Sequence, residues 1–314
     1  MITVLGSIHV DFVITLDSFP HPGETVIGRS FKIFMGGKGA NQAVGCGRLG
    51  VKVHMVGKVG KTFREEIIRN FEKNNVDASF VFFDNEVETG TALIYVNERS
   101  GENMIAVFPG ADYKLRREEV STALDSIGPS KVFLTQLEIP IDIVEASIKK
   151  AHSLYDYVIL NPAPYRRFSE EILKYVTLIT PNKIEASLLT GIEIRSISDA
   201  VKAGKELIRK GVAYAVITLG GDGALLVERD SVLHFKVFPA KVVDSTGAGD
   251  AFNAGLAYAI SRGESLPEAV KLANAVAALK VTKMGAQEGL PWRSELEAFT
   301  SSPMFQSYTP IELR

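Results

Sequence analysis

Two carboxylates bracket a Gly-Ala-Gly turn in the run Asp244-Ser-Thr-Gly-Ala-Gly-Asp250-Ala-Phe-Asn253. Successive glycines let backbone N–H groups converge on an anion, and a helix starting there adds its dipole to the attraction. A carboxylate beside an anion site is disfavoured unless it handles a proton. Asp250 is therefore either a base or simply the N-cap of the following helix. A second Gly-rich run, Met35-Gly-Gly-Lys-Gly-Ala-Asn-Gln-Ala43, lacks the Gly-x-x-x-x-Gly-Lys-Ser/Thr spacing of a Walker loop. Gly36, Gly37 and Gly39 permit close backbone approach, and Lys38 and Asn41 offer donors to hydroxyl or phosphate oxygens. A polyol suits that donor set; a structural turn opening a helix is the alternative.

Other polar residues fall where strand-like segments end. Gly6-Ser-Ile-His9-Val-Asp11 follows the first such segment, and Asp11 could accept bonds from sugar hydroxyls; His9 could do likewise or be structural. Leu134-Thr-Gln-Leu-Glu138 brings a carboxylate to the same end of the chain's strands, as a ligand or a helix-start residue. In Thr180-Pro-Asn182-Lys-Ile-Glu185, Asn182 and Glu185 either cap a helix or hold a hydrated Mg²⁺ near nucleotide phosphates. Thr218-Leu-Gly-Gly-Asp-Gly223 permits close backbone contact with a nucleotide, or forms a tight turn. Gly45-Cys-Gly-Arg-Leu-Gly50 matches a dinucleotide fingerprint in letters only: it closes a helix and precedes a strand, so Gly50 reads as a C-terminal cap.

Bulk composition excludes several classes. The 314 residues carry a formal net charge of −2, with no basic stripe for nucleic acid. The single Cys46 excludes an internal disulfide and fits a reducing compartment. Met1–Leu5 runs straight into strand-like sequence with no leader pattern, and no apolar run approaches the ~20 residues that cross a bilayer. A cytoplasmic protein without membrane or nucleic-acid partners is expected. No histidine–cysteine cluster has metal-ligand spacing, and no Gly-x-Ser-x-Gly elbow is present.

The elements that must position these groups alternate. Strands are expected at 2–5, 53–56, 132–135, 157–160, 178–180 and 215–218, with helical periodicity at 39–49, 63–74, 141–153, 200–210, 251–262 and 266–282. The runs 235–238 and 240–243 also read as extended. This alternation predicts an α/β fold of three layers, with a mostly parallel central sheet and helices on both faces. Ligands of such sheets lie beyond the strand C-termini. Residues 12–35 and 89–108 break the rhythm and read as short antiparallel strands, punctuated by Pro20, Pro22 and Gly23. They are expected to build a small β-sheet lid, whose apolar outer face suits a homodimer, over a core of residues 1–11, 36–88 and 109–314. Residues 301–314 read as a loosely attached tail.

Together, Gly36-Gly-Lys-Gly-Ala-Asn-Gln-Ala43 and Asp244-Ser-Thr-Gly-Ala-Gly-Asp250 resemble the paired signatures of the ribokinase, or PfkB-type, family of carbohydrate kinases. The resemblance spans about residues 2 to 299. Pro22-Gly-Glu-Thr25, Leu134-Thr-Gln-Leu-Glu138, Asn161-Pro-Ala-Pro164, Thr180-Pro-Asn182 and Gly285-Ala-Gln287 look most like its ribose-phosphorylating members. The resemblance implies ATP-dependent phosphorylation of D-ribose at the 5-hydroxyl, or action on another sugar or a nucleoside. It implies Asp250 as base and the amides of Gly247, Ala248 and Gly249 as an anion hole. His9, Asp11, Gly37, Lys38, Gly39, Asn41, Glu138 and Asp250 would bind the sugar. Asn182, Thr218, Leu219, Gly220, Gly221, Asp222, Gly223, Gly249 and Asn274 would contact the nucleotide, with Glu185 near Mg²⁺ through water. A monovalent cation, K⁺ by analogy, would take oxygens at Asp244, Thr246, Lys280, Lys283, Gly285 and Gly289. Two positions depart from the family pattern: His9 stands where Asn is typical, and Gly289 where Ser is common.

Overall fold

The computed structural model describes residues 1–313. Its strands are β1 (Ile2–Leu5), β2 (His9–Leu16), β3 (Ser30–Gly36), β4 (Val53–Val59), β5 (Val76–Phe83), β6 (Gly90–Asn97) and β7 (Asn103–Phe108), followed by β8 (Ser130–Thr135), β9 (Tyr155–Leu160), β10 (Leu178–Ile179), β11 (Tyr214–Thr218), β12 (Ala224–Val227), β13 (Val232–Phe235) and β14 (Ile311–Glu312). Ten of them form one sheet in the order β14-β13-β12-β11-β10-β9-β8-β1-β4-β5. From β5 to β11 every neighbouring pair is parallel; β12, β13 and β14 continue antiparallel. The central strands are buried on both faces, as a continuous β-branched run requires. In β1, Val4 packs into one apolar layer and Leu5 into the other, each closed by helices. The expected three-layer α/β architecture is therefore the one observed.

The remaining four strands form a separate sheet, ordered β3-β2-β6-β7. Its outer pairs are antiparallel, but β2 and β6 run parallel, from His9 opposite Gly90 to Leu16 opposite Asn97. The antiparallel reading of these segments is corrected at that pair, because the two strands come from separate excursions that leave the core in the same direction.

Two further expectations fail. Residues 236–243 contain no strand: β13 stops at Phe235, and the apolar run beyond it lines a cavity instead. The stretch after residue 300 is not loose. Phe305 is buried, Phe238 packs against Phe299, Phe305 and Tyr308, and Ile311–Glu312 pairs with β13. Aromatic burial and two strand bonds outweigh the polar composition that suggested a tail. Among the described residues no helix is long and apolar enough to cross a membrane.

Candidate active site

Small residues bring the two signatures together. The helix Lys38–Arg48 lies so close to the helix Ala248–Ser261 that a Cβ on Gly45 would sit 2.5 Å from the Ala254 Cβ. One turn earlier on each helix stand Asn41 and Asp250, which this approach makes neighbours. Asn41 Nδ2 donates to one Asp250 carboxylate oxygen and Gln42 Nε2 to the other, both at 2.9 Å. Gln42 is itself held by Gln136 and Asn161, and Asn161 Nδ2 donates to the Thr180 carbonyl. Burial pushes the Asp250 pKa up, against the Lys38 charge and the two amide bonds that favour the carboxylate. A carboxylate held in one orientation and made more basic is suited to accept a proton.

The cap of that helix is Gly247, at φ +75°, and Asp250 is its third residue rather than its N-cap. The capping alternative for Asp250 is thereby removed. Of the three amides expected to make an anion hole, that of Ala248 donates to the Ser245 carbonyl at 3.1 Å. The N–H groups of Gly247 and Gly249 donate to nothing among the described residues, as does that of Asp250. A Cβ at Gly249 would meet no atom within 4 Å, so space lies open in front of the turn.

Lys38 gathers the other carboxylates. Burial disfavours its ammonium, but Asp250, Glu138, Glu185 and Asp11 outweigh this and raise its pKa. Glu138 precedes the next helix, which begins at Ile141, and accepts from Ser7 Oγ at 2.5 Å and from Lys38 N at 3.0 Å. Burial opposes its charge, yet Lys38 and His9 hold its pKa below the usual carboxylate range. Asp11 accepts no hydrogen bond among the described residues, and burial pushes its pKa up to about 6. Asn41 Oδ1 is buried without a partner. These two acceptors face no protein donor and are free for a ligand. Gly37, at φ +85°, and Gly39 pack against residues 6–9, where an added Cβ would come within 2.8 and 2.6 Å of backbone.

His9, expected at the sugar, is buried and pairs with Asp112. Its Nε2 lies 2.8 Å from Asp112 Oδ2, and Ile8 N donates to the other oxygen. Burial opposes the imidazolium, but Asp112 more than compensates and raises the His9 pKa to about 9. Burial raises Asp112 only to about 6, so the neutral-pH pair is imidazolium and carboxylate. Both folded pKa values exceed the unfolded ones, so the folded state binds more protons and stability falls as pH rises. The His9 contribution is complete below about 6.5 and is lost as pH passes through about 9. Urea midpoints should accordingly fall between pH 6.5 and 9 in the parent and stay flatter in His9→Asn. Parallel pH profiles for the two proteins would refute the pairing.

Beyond β10 and β11 opens a cavity of about 790 Å³ reached by Asn182, Thr218, Leu219, Gly220, Gly221, Gly223, Gly249 and Asn274. Its other wall is apolar, from Val237, Val242, Ala277 and Val281, residues that the sequence reading did not assign. The signal was present: a β-branched run with no partner strand has its apolar side chains free for a flat ligand. Asp222 stands aside in an ion pair with Lys183 at 2.8 Å. Asn274 reaches the Phe235 and Lys236 carbonyls at 3.4 Å. Asn182 and Glu185 form a reciprocal capping box, which uses Glu185 Oε2 and leaves Oε1 without a hydrogen bond among the described residues. No group of three or more His, Cys, Asp or Glu residues forms a metal cage among the described residues. The free Glu185 oxygen fits a Mg²⁺ that keeps its waters and is carried by phosphates.

The expected K⁺ does not fit its donor set. Lys280 is fully buried, and its ammonium donates to the Asp244 carbonyl at 2.8 Å and lies 3.4 Å from that of Lys283. The Asp244 carboxylate accepts from Thr246 N and Gly285 N at 2.9 and 2.8 Å, and the Gly285 carbonyl accepts from Gly289 N. A long side chain at 280 thus brings a nitrogen where only a backbone oxygen was anticipated.

Residues 1–293 match the model of the pfkB family of carbohydrate kinases. A ribokinase of Haemophilus influenzae is 38% identical over 299 residues, covering 95% of this chain and 97% of its own. Among solved structures, the ribokinase of Thermotoga maritima superposes with a TM-score of 0.87 at 36% identity, covering 96% of this chain and 99% of that one. The Arabidopsis thaliana ribokinase, complexed with ribose and ATP, also gives 0.87, at 28% identity, with coverages of 96% and 98%.

Proposed function

This chain belongs to the pfkB family of carbohydrate kinases, and we propose that it transfers the γ-phosphoryl group of ATP to the 5-hydroxyl of D-ribose, giving ribose 5-phosphate and ADP. The observation that carries the reading is the juxtaposition at Asp250: an oriented, buried carboxylate stands one residue beyond a free glycine amide at the edge of the large cavity.

Phosphoryl transfer asks for positioning and charge stabilisation rather than covalent help from the protein. Asp250 takes the proton of the attacking hydroxyl. The amides of Gly247 and Gly249 meet charge on the migrating group, while that of Ala248 holds the turn. Asp11 and Asn41 Oδ1 accept from sugar hydroxyls, with Lys38 donating and Glu138 fixing Lys38; Gly37 and Gly39 let this loop lie close to the sugar. His9 shapes the site through Asp112. Thr218, Leu219, Gly220, Gly221 and Gly223 lie along the nucleotide, Asn182 and Asn274 anchor its edges, and Asp222 steadies the loop through Lys183. Glu185, whose Oε1 makes no hydrogen bond among the described residues, would hold a Mg²⁺ through water, and that ion would supply charge neutralisation at the phosphates. The four-stranded sheet serves as a lid that excludes water.

An acceptor panel with coupled ADP detection tests the substrate. Ribose should lead, whereas a clear preference for another sugar or a nucleoside would replace this reading. Phe31, Ile33, Leu93 and Phe108 are exposed on the smaller sheet, and their burial in a homodimer accounts for that apolar surface. Light scattering should give twice the chain mass; a monomer at micromolar concentration would refute it. The Cys46 thiol, pushed up to about 12 by burial, is inert and suits a reducing cytoplasm, which fractionation checks.

A further inference from the structure

We infer that the Lys280 ammonium is a built-in monovalent cation that fixes the anion-binding turn, so that phosphoryl transfer by this protein needs no free K⁺. The inference rests on the kinase reading above and concerns how its anion hole is held. The helix Leu266–Val281 runs along the nucleotide cavity, contributing Ala277, Ala278 and Val281 to its wall. Lys280 points the other way, with none of its side chain exposed. Its ammonium lies 2.8 Å from the Asp244 carbonyl, 3.4 Å from the Lys283 carbonyl and 3.9 Å from Asp244 Oδ2. A buried charge is costly unless paired and hydrogen-bonded, and this one is met by two oxygens of Asp244, which leads into the turn, and by the Lys283 carbonyl that follows the helix.

The surroundings are cut to fit that side chain. A Cβ on Gly289 would lie 3.0 Å from Lys280 Cε, 3.2 Å from the Lys283 carbonyl and 2.8 Å from the Gly285 carbonyl. Glycine at 289 therefore leaves room for the lysine stem. A free cation approaching the Asp244 and Lys283 carbonyls would meet the ammonium first. One positive charge is enough for this pocket, since both Asp244 carboxylate oxygens are already held by the amides of Thr246 and Gly285.

The route to the chemistry is short. Lys280 and Gly285 hold Asp244, and Thr246 N and the Ala248–Ser245 bond continue the turn to Gly247 and Gly249, whose amides stay free. Lys280 touches no reacting atom and acts as a positioning residue: it fixes the direction of those amides and adds positive potential behind them. Charge stabilisation of this kind depends on donors held before the charge develops.

Three proteins test the inference: the parent, Lys280→Ala, and Lys280→Met, which keeps bulk without charge. Rates are measured with ribose and Mg-ATP in tetramethylammonium buffer, with and without saturating KCl. The parent should change by less than about twofold. Lys280→Ala should lose about 10²-fold without K⁺, the size of a disordered anion-hole donor, and recover at least about tenfold with it. Lys280→Met should be slow in both. Melting temperature gives a readout independent of turnover: K⁺ should raise it for Lys280→Ala and leave the parent unchanged. A parent activated about tenfold by K⁺ would overturn the inference, as would a folded Lys280→Ala that neither recovers activity nor gains thermal stability in K⁺. If ribose is the wrong acceptor, no salt will restore ribose turnover in any of the three, while the melting shift still reports on the pocket around Lys280.

Discussion

Asp250→Asn is expected to lower kcat by about 10²–10⁴-fold, the contribution of a positioned base, with KM for nucleotide changed by less than about threefold. The substitution exchanges one carboxylate oxygen for an N–H donor, facing either Asn41 Nδ2 or Gln42 Nε2. Two donors in contact would destabilise the site, but Asn41 has a remedy. Its Oδ1 is buried and unpartnered, so rotating that amide half a turn supplies the acceptor. The fold is therefore expected to survive, and the loss falls on the proton transfer. Steady-state rates with calorimetric binding of ribose and ATP separate the two effects. Retention of more than about a tenth of parental kcat, with binding intact, would remove Asp250 from the base role.

Gly249→Ala should move stability and activity in opposite directions. Residue 249 is helical without a positive φ, and an added Cβ finds no atom within 4 Å. Alanine there restricts the unfolded chain and suits the helix, a gain of about 0.4–1 kcal/mol. The same open space adjoins the cavity, beside a free amide, where the proposed transfer would carry the phosphoryl group. A methyl group there displaces it, at an expected cost of about 10²–10³-fold in turnover, comparable to removing an anion-stabilising donor. Thermal melting and initial rates on one preparation decide this. Parental turnover would show that the transferred group takes another path.

The sequence made six of the seven parallel strands legible, because strands buried on both faces carry β-branched runs that alternate with helical periodicity; the half-buried edge strand β5 was missed. The hairpin β12–β13 escaped this reading, since its short strands lack the helix spacing that marks a crossover. The 236–243 run misled for a related reason. Its β-branched residues resemble a strand, but apolar side chains that wall a cavity have the same composition. Strand direction in the smaller sheet was invisible because alternation reveals faces, not partners. At the site, glycine runs and strand-end carboxylates marked the right neighbourhood. Gln42 gave a weaker clue, as a polar residue among the small apolar ones of a buried helix, and such a residue must find a partner. That its partner is Asp250, more than two hundred residues away, follows only from the close packing at Gly45 and Ala254.

The parallel β2–β6 pair has a consequence for the order of folding. Its strands are separated by the whole segment from β3 to β5, so joining them closes a long loop, and antiparallel hairpins alone cannot complete that sheet. The smaller sheet cannot be excised as one contiguous piece, and its assembly is expected to follow the docking of β4 on β1 and of β5 on β4. With every residue of β7 exposed, the same sheet has the least burial to hold it. Its amides should be the last to gain protection from hydrogen exchange during refolding and the first to lose it on warming.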